Sequence, residues 1–215
     1  MKNKTTYYQF ILDMSGSMSD VRYETIESYN LHINKIKSLQ EEFPDQKFTI
    51  SLCVFNDEQK NLLIDKAVGK IKAITAEDYR PDNSTALLDT IGKCVNRIRE
   101  DHGAEILRNE ASVVTVIITD GYENASMHYT YPEISRMIKQ LEEEGKWTFT
   151  FLGADIDAEH IGSMLSVKKS NTRSFSKKQM GSMMNVVSDS LHDYACSKKQ
   201  GIVNQDFLKN IENEN

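Results

Sequence analysis

The stretch YYQFILDMSGSMSD, residues 7–20, decides how the rest of the chain is read. Its first half is apolar and aromatic, and short enough for a buried strand. It stops at a carboxylate, Asp13, and three hydroxyls follow at alternate positions: Ser15, Ser17 and Ser19, with Gly16 among them. A strand that ends in an acid followed by small oxygen-bearing side chains is suited to hold something that needs oxygen atoms. Behind it, Ile26, Tyr29, Ile33, Ile36 and Leu39 recur at helical spacing, which predicts a helix over residues 20–41.

The same alternation continues outward. KFTISLCVF (47–55) and NLLIDKAV (61–68) predict two strands, and the short link between them predicts an antiparallel hairpin. A helix is expected over 85–101, ending near Gly103. SVVTVIIT (112–119) is β-branched almost throughout, which suits a central strand buried on both faces. A helix then opens at Pro132 and stops at Gly145, and KWTFTFLGA (146–154) is a further strand. A short helix over 158–165, a weak strand over 171–175 and a long helix over 176–196 complete the series. The implied fold is α/β: three layers, Rossmann-like and doubly wound. It has a mostly parallel six-stranded sheet, one antiparallel edge strand and helices on both faces. Residues 1–196 form one domain, and 197–215 a polar C-terminal extension.

Composition narrows the function. A net charge of -6 argues against nucleic acid as partner, since phosphate binding needs a basic face. The lysine pairs at 168–169, 177–178 and 198–199 read as solvated surface. No apolar run reaches the ~18 residues of a membrane span, and the N-terminus lacks the pattern of a signal peptide. The three cysteines, Cys53, Cys94 and Cys196, make no disulfide framework, and the first two fall within apolar patterns; a reducing cytoplasm is expected.

In doubly wound sheets, sites form beyond the carboxyl ends of the strands. The first strand ends at Asp13, the central strand ends at Asp120-Gly121, and DNSTALLD places Thr85 at a helix start. If the first and central strands are neighbours, Asp13, Ser15, Ser17, Thr85 and Asp120 converge at one edge. All are hard oxygen donors, without His or Cys, which favours Mg²⁺, Mn²⁺ or Ca²⁺ over zinc. Two carboxylates neutralise a divalent cation, and hydroxyls add no charge. With the carboxylates acting through water, the ion stays electrophilic and an open position attracts a carboxylate from another molecule.

These elements resemble the von Willebrand factor A domain and the related integrin inserted domains. DMSGSMS fits the family's D-x-S-x-S element, NSTALLDT resembles its Thr-bearing loop, and VIITDGYENAS its Asp-bearing strand end, in matching order over residues 6–195. The resemblance implies that Asp13, Ser15, Ser17, Thr85 and Asp120 form a metal-ion-dependent adhesion site. It also implies a monomeric, intracellular protein-binding module of bacterial type, with Mg²⁺ as cofactor. Asn83-Ser84 stands where many relatives have Gly, and Asn tolerates the positive φ such a turn needs.

The alternative is an enzyme, a metal-dependent hydrolase or phosphatase using Asp13. Aspartyl phosphatases place a second acid two residues on, where this chain has Ser15; a serine hydrolase wants G-x-S-x-G, which MSGSM lacks. A nucleotide-binding loop wants more glycines and a Lys. Among neighbouring residues, Ser19 or Asp20 is expected to cap the first helix and Asp157 the short one. Asp89 either orients the Thr85 loop or offsets the helix dipole. Tyr122, Glu123 and Asn83 are expected to select the incoming carboxylate. His128, His160 and His192 are expected at the surface or its boundary, and Met180, Met183 and Met184 in the core.

Overall fold

The computed structural model describes residues 4–208. In chain order the elements are β1 (Thr5–Asp13), a 3₁₀ turn (Gly16–Val21), α1 (Arg22–Glu42), β2 (Lys47–Phe55) and β3 (Gln59–Ala67). There follow α2 (Leu87–Leu107), β4 (Ala111–Thr119), α3 (Tyr131–Glu143), β5 (Trp147–Ala154), α4 (Ala158–Met164), β6 (Thr172–Phe175) and α5 (Met180–Lys199). The six strands form one sheet in the order β3-β2-β1-β4-β5-β6. Every pairing is parallel except β2 with β3, where the short link closes a hairpin. The expected fold, with its antiparallel edge strand, is the one observed.

The pleat sorts the core into two layers, because successive strand side chains point to opposite faces. Tyr8, Phe10 and Leu12 of β1 pack with Val114, Val116 and Ile118 of β4 under α1 and α5. Tyr7 and Ile11 pack with Val113, Ile117, Phe149 and Phe151 under α2 and α3. All nine residues of β4 are buried, as its β-branched run requires. Each fully buried aromatic or branched side chain contributes about 1.5–3 kcal/mol. The methionines Met180, Met183 and Met184 lie in the first of these layers, as expected.

Local chemistry sets the element ends. Thr130 and Glu133 form a reciprocal capping box on α3, Pro132 lies in its first turn, and Gly145 takes a left-handed φ of 69° just beyond its end. Asp157 caps α4 by accepting the His160 amide at 3.0 Å. Four expectations are corrected. The helix expected to end near Gly103 runs on to Leu107: Gly103 has open space where a Cβ would lie, and Asn109, with φ of 62°, makes the turn instead. Neither Ser19 nor Asp20 caps α1, which grows out of the 3₁₀ turn; the Ser19 hydroxyl donates to the Gly16 carbonyl. The last helix continues three residues past 196, to Lys199. Finally, Lys198 is no surface residue. It is 1% exposed and its ammonium donates to the Thr5 carbonyl and the Thr6 hydroxyl, while burial pushes its pKa down to about 7.

Beyond α5 the chain folds back. Asn171 Oδ1 accepts the amides of Phe207 and Leu208, and both side chains are buried in the layer that holds Tyr194. Residues 209–215 of the expected extension lie outside the described residues.

Candidate metal centre

The register of the sheet brings the first two segments together. Leu12 of β1 is paired with Ile118 of β4, so the strands end side by side at Asp13 and Thr119-Asp120. Asp13 is fully buried, and Tyr79 fixes its backbone by donating from its hydroxyl to the Asp13 carbonyl at 2.6 Å. Asp13 Oδ1 accepts the Ser15 amide at 2.7 Å, and Oδ2 accepts the Thr119 hydroxyl. Burial pushes the Asp13 pKa up to about 6; these donors oppose the rise, and the charge of Asp120 adds to it.

The hydroxyls lie above that carboxylate. Ser15 Oγ is 3.2 Å from Ser17 Oγ, which donates to Asp120 Oδ1 at 2.7 Å. The Thr85 loop is tied to the same place: the Gly16 amide donates to the Asn83 carbonyl at 3.0 Å, and Asn83 adopts φ of 64°. The residue that replaces glycine thus keeps the left-handed turn. A Cβ at Gly121 would lie 2.8 Å from Thr85 Oγ1 and 3.6 Å from Asp13 Oδ2. Only a glycine lets the β4 end approach the Thr85 hydroxyl so closely. All five residues picked from sequence therefore meet at one edge of the sheet.

The segment after Asp120 acts as a clamp. The amide of Thr85 donates to Asn124 Oδ1 at 2.8 Å, and the amide of Asn124 donates back to the Thr85 carbonyl at 3.1 Å. Glu123 accepts the amides of Leu88, Ala125 and Ser126 and the Ser126 hydroxyl. Its carboxylate is thus consumed in holding the loop to α2, and it does not face an incoming ligand as expected. Asp89 accepts the amides of Met127, His128 and Tyr129. Burial works against its charge, but these donors outweigh it and hold its pKa below the usual carboxylate value. Orienting the loop, rather than offsetting a dipole, is what its contacts do. Tyr122 is 57% exposed beside the site and Met127 86% exposed.

One participant escaped the sequence reading. Lys177, expected at the solvated surface, turns into the site after β6. Its ammonium lies 2.5 Å from Asp120 Oδ2, donates to the Ser17 carbonyl at 2.7 Å and reaches Asp20 at 3.4 Å. The contact with Asp120 is an ion pair outside hydrogen-bond angles, so buried Oδ2 has no aligned donor. Burial disfavours the ammonium, yet Asp120 and Asp20 outweigh it and raise the Lys177 pKa. A glance at where β6 ends would have pointed to it, since sites collect beyond strand ends. Thr119, Asn124 and Tyr79 were missed too, because hydroxyls and amides that orient others carry no motif.

The donor set fits a hard divalent cation. It consists of three hydroxyls and two carboxylates, and one buried carboxylate oxygen lacks an aligned donor. A second group, Asp65, Asp101 and His102, is internally paired: Arg97 is 2.8 Å from Asp65, and both imidazole nitrogens reach carboxylates.

Comparison with known proteins identifies the family and the fold. The model of the von Willebrand factor type A domain matches residues 9–189. The chain belongs to that family. No curated protein matches. Among solved structures, the vWF domain of the type V pili tip protein Mfa5 from Porphyromonas gingivalis superposes with a TM-score of 0.64 at 10% identity, covering 94% of this chain and 97% of that one. The ArnB paralog VWA2 from Sulfolobus acidocaldarius gives 0.60 at 15% identity, covering 88% of this chain and 46% of that one. Proximal thread matrix protein 1 from the mussel byssus, solved with a zinc-occupied MIDAS motif, gives 0.56 at 15% identity, covering 89% and 47%. At these identities the likeness is one of fold. The chain spans about half the length of the Sulfolobus and mussel proteins. No helix among the described residues is long and apolar enough to cross a membrane.

Proposed function

We propose that this von Willebrand domain is a metal-dependent protein-binding module and not an enzyme. The hydroxyls of Ser15, Ser17 and Thr85 hold a divalent cation, Mg²⁺ in the first place and Mn²⁺ or Ca²⁺ as substitutes. Asp13 and Asp120 stand behind them and supply negative charge. When bound, the cation supplies an electrophilic position for an Asp or Glu carboxylate of a partner protein. The observation that carries this reading is the convergence of oxygens from three sequence-remote segments on one buried carboxylate edge. The alternative, a hydrolase or phosphatase with Asp13 as nucleophile, is disfavoured by Asp13 itself: it is buried and both its oxygens accept hydrogen bonds.

The acidic net charge and the free cysteines support a monomer in a reducing cytoplasm that binds neither nucleic acid nor membrane. Residues 1–196 are the binding unit, with 197–215 an extension of it. Thr85→Val tests the whole reading, because it keeps the side-chain shape and removes one ligand. Calorimetry with Mn²⁺ is expected to show one site in the wild type and about a hundredfold loss in the variant, with an unchanged circular dichroism spectrum. A protein partner captured from lysate in Mg²⁺ is expected to be released by EDTA and absent with the variant. Retention under both conditions overturns the proposal.

A further inference from the structure

Among the described residues, Lys177 is the one cation inside the cluster of oxygens. Its backbone is held: the Lys177 amide donates to Asp155 Oδ1 at 3.3 Å, the Asp155 amide donates to the Phe175 carbonyl at 2.8 Å, and Ser176 and Gln179 form a reciprocal capping box. Immediately after, Met180 opens α5 and is buried. Beyond that anchored backbone a four-carbon stem carries a compact ammonium. That ammonium touches the Asp120 oxygen that has no aligned donor, on a side chain with no solvent exposure, while Lys177 itself is 15% exposed.

We infer that Lys177 is a built-in cation that competes with the divalent metal for Asp120, so that metal entry displaces its ammonium from the site. The inference rests on the metal reading given above and adds a residue that regulates it. Electrostatics supplies the reason. Asp13 and Asp120 are both buried and their charges repel, and one positive charge in contact with Asp120 relieves part of that repulsion. A divalent ion relieves more, but only after facing a positive charge already seated on one of its two carboxylates. The ammonium therefore stabilises the metal-free fold and weakens metal binding together. Its withdrawal also frees the Ser17 carbonyl, on the turn that carries two of the metal's hydroxyls. Asp20 is exposed, so the released lysine can follow it toward solvent or meet a partner's acid.

The test compares wild type, Lys177→Met and Lys177→Arg, using Mn²⁺ alone as probe. Lys177→Met keeps the stem and removes the charge; it is expected to bind Mn²⁺ about tenfold more tightly and to melt lower without metal. Lys177→Arg keeps a charge and is expected to bind within about threefold of wild type. A second readout on the wild type is amine acylation followed by peptide mass spectrometry, where Mn²⁺ is expected to speed labelling of Lys177 severalfold while leaving Lys169, an exposed lysine, unchanged. Tighter binding by Lys177→Met, or binding by it alone, supports the competition. Equal or weaker binding by Lys177→Met overturns the inference while the metal reading stands. Absence of Mn²⁺ binding in all three proteins overturns both.

Discussion

The imidazole of His32, on α1, is enclosed between Tyr8 of β1 and Ser188 of α5. One ring nitrogen is 2.9 Å from the Tyr8 hydroxyl and the other 2.7 Å from Ser188 Oγ. Burial, with the charge of Lys35 adding to it, pushes its pKa down to about 3. The unfolded chain protonates this side chain near pH 6.5. Between those values the unfolded state binds more protons, so the contribution of His32 to stability is complete above about pH 6.5 and is lost as pH falls. Asp13 acts in the opposite sense. Raised to about 6 in the fold, it favours folding progressively as pH falls from about 6 toward 4. The two effects partly cancel in the wild type, and His32→Gln isolates one of them, since a neutral amide keeps partners for Tyr8 and Ser188. Urea unfolding at pH 7 and pH 5 is expected to show the wild type losing about 2 kcal/mol more than the variant over that interval. Equal losses would mean that the folded state tolerates a charged imidazole.

The elements show what a sequence reveals and what it hides. Each strand was legible because its apolar period differs from that of a helix, and β4 was plainest because nine buried residues leave no polar face. The five candidate site residues were legible because they end strands or lie where helices begin, where the topology concentrates them. Helix ends were less so. The glycine at 103 resembled a stop, but a left-handed asparagine at 109 ended α2. Lysines were the least legible, since the same side chain serves as solvated surface at Lys169, as a buried donor at Lys198 and as a site cation at Lys177. Nothing in composition separates these roles; only tertiary neighbours do. The clamp between α2 and the 121–130 loop belongs to the same hidden class. Asn124 contributes one amide oxygen to hold the Thr85 backbone, and its side chain is otherwise exposed. Asn124→Ala is expected to weaken Mn²⁺ binding about tenfold, the usual cost of losing a group that orients a ligand. Its melting temperature is expected to fall by about 4 °C at most, because the bond lost is partly exposed. A larger melting shift with unchanged metal affinity would show that Asn124 supports the fold and not the site.

At the scale of the whole molecule, the site joins parts of the chain that the sheet alone holds only at their strand ends: the β1 turn, the start of α2, the end of β4 and, through Lys177, the head of α5. A cation that binds this junction and not the unfolded chain stabilises the fold by mass action. At a concentration one hundred times the dissociation constant the gain is about 2.7 kcal/mol. For a chain of this size that corresponds to a rise in melting temperature of about 5–10 °C. Charge decides how the variants depart from this. Asp120→Asn leaves the Lys177 ammonium with Asp20 alone, at 3.4 Å and exposed, while easing the repulsion on Asp13, and the loss of the contact pair is expected to dominate because the Asp120 side chain is wholly buried. Its metal-free melting point is therefore expected below wild type, with no rise on adding Mg²⁺. Asp120→Asn combined with Lys177→Met removes both charges together and is expected to regain most of that loss, while still failing to respond to Mg²⁺. Scanning calorimetry on the four proteins, each with Mg²⁺ and with EDTA, closes the cycle. A metal-dependent rise that survives in Asp120→Asn would place the ion elsewhere. A double variant that melts no higher than Asp120→Asn alone would show that the two charges do not act as a pair.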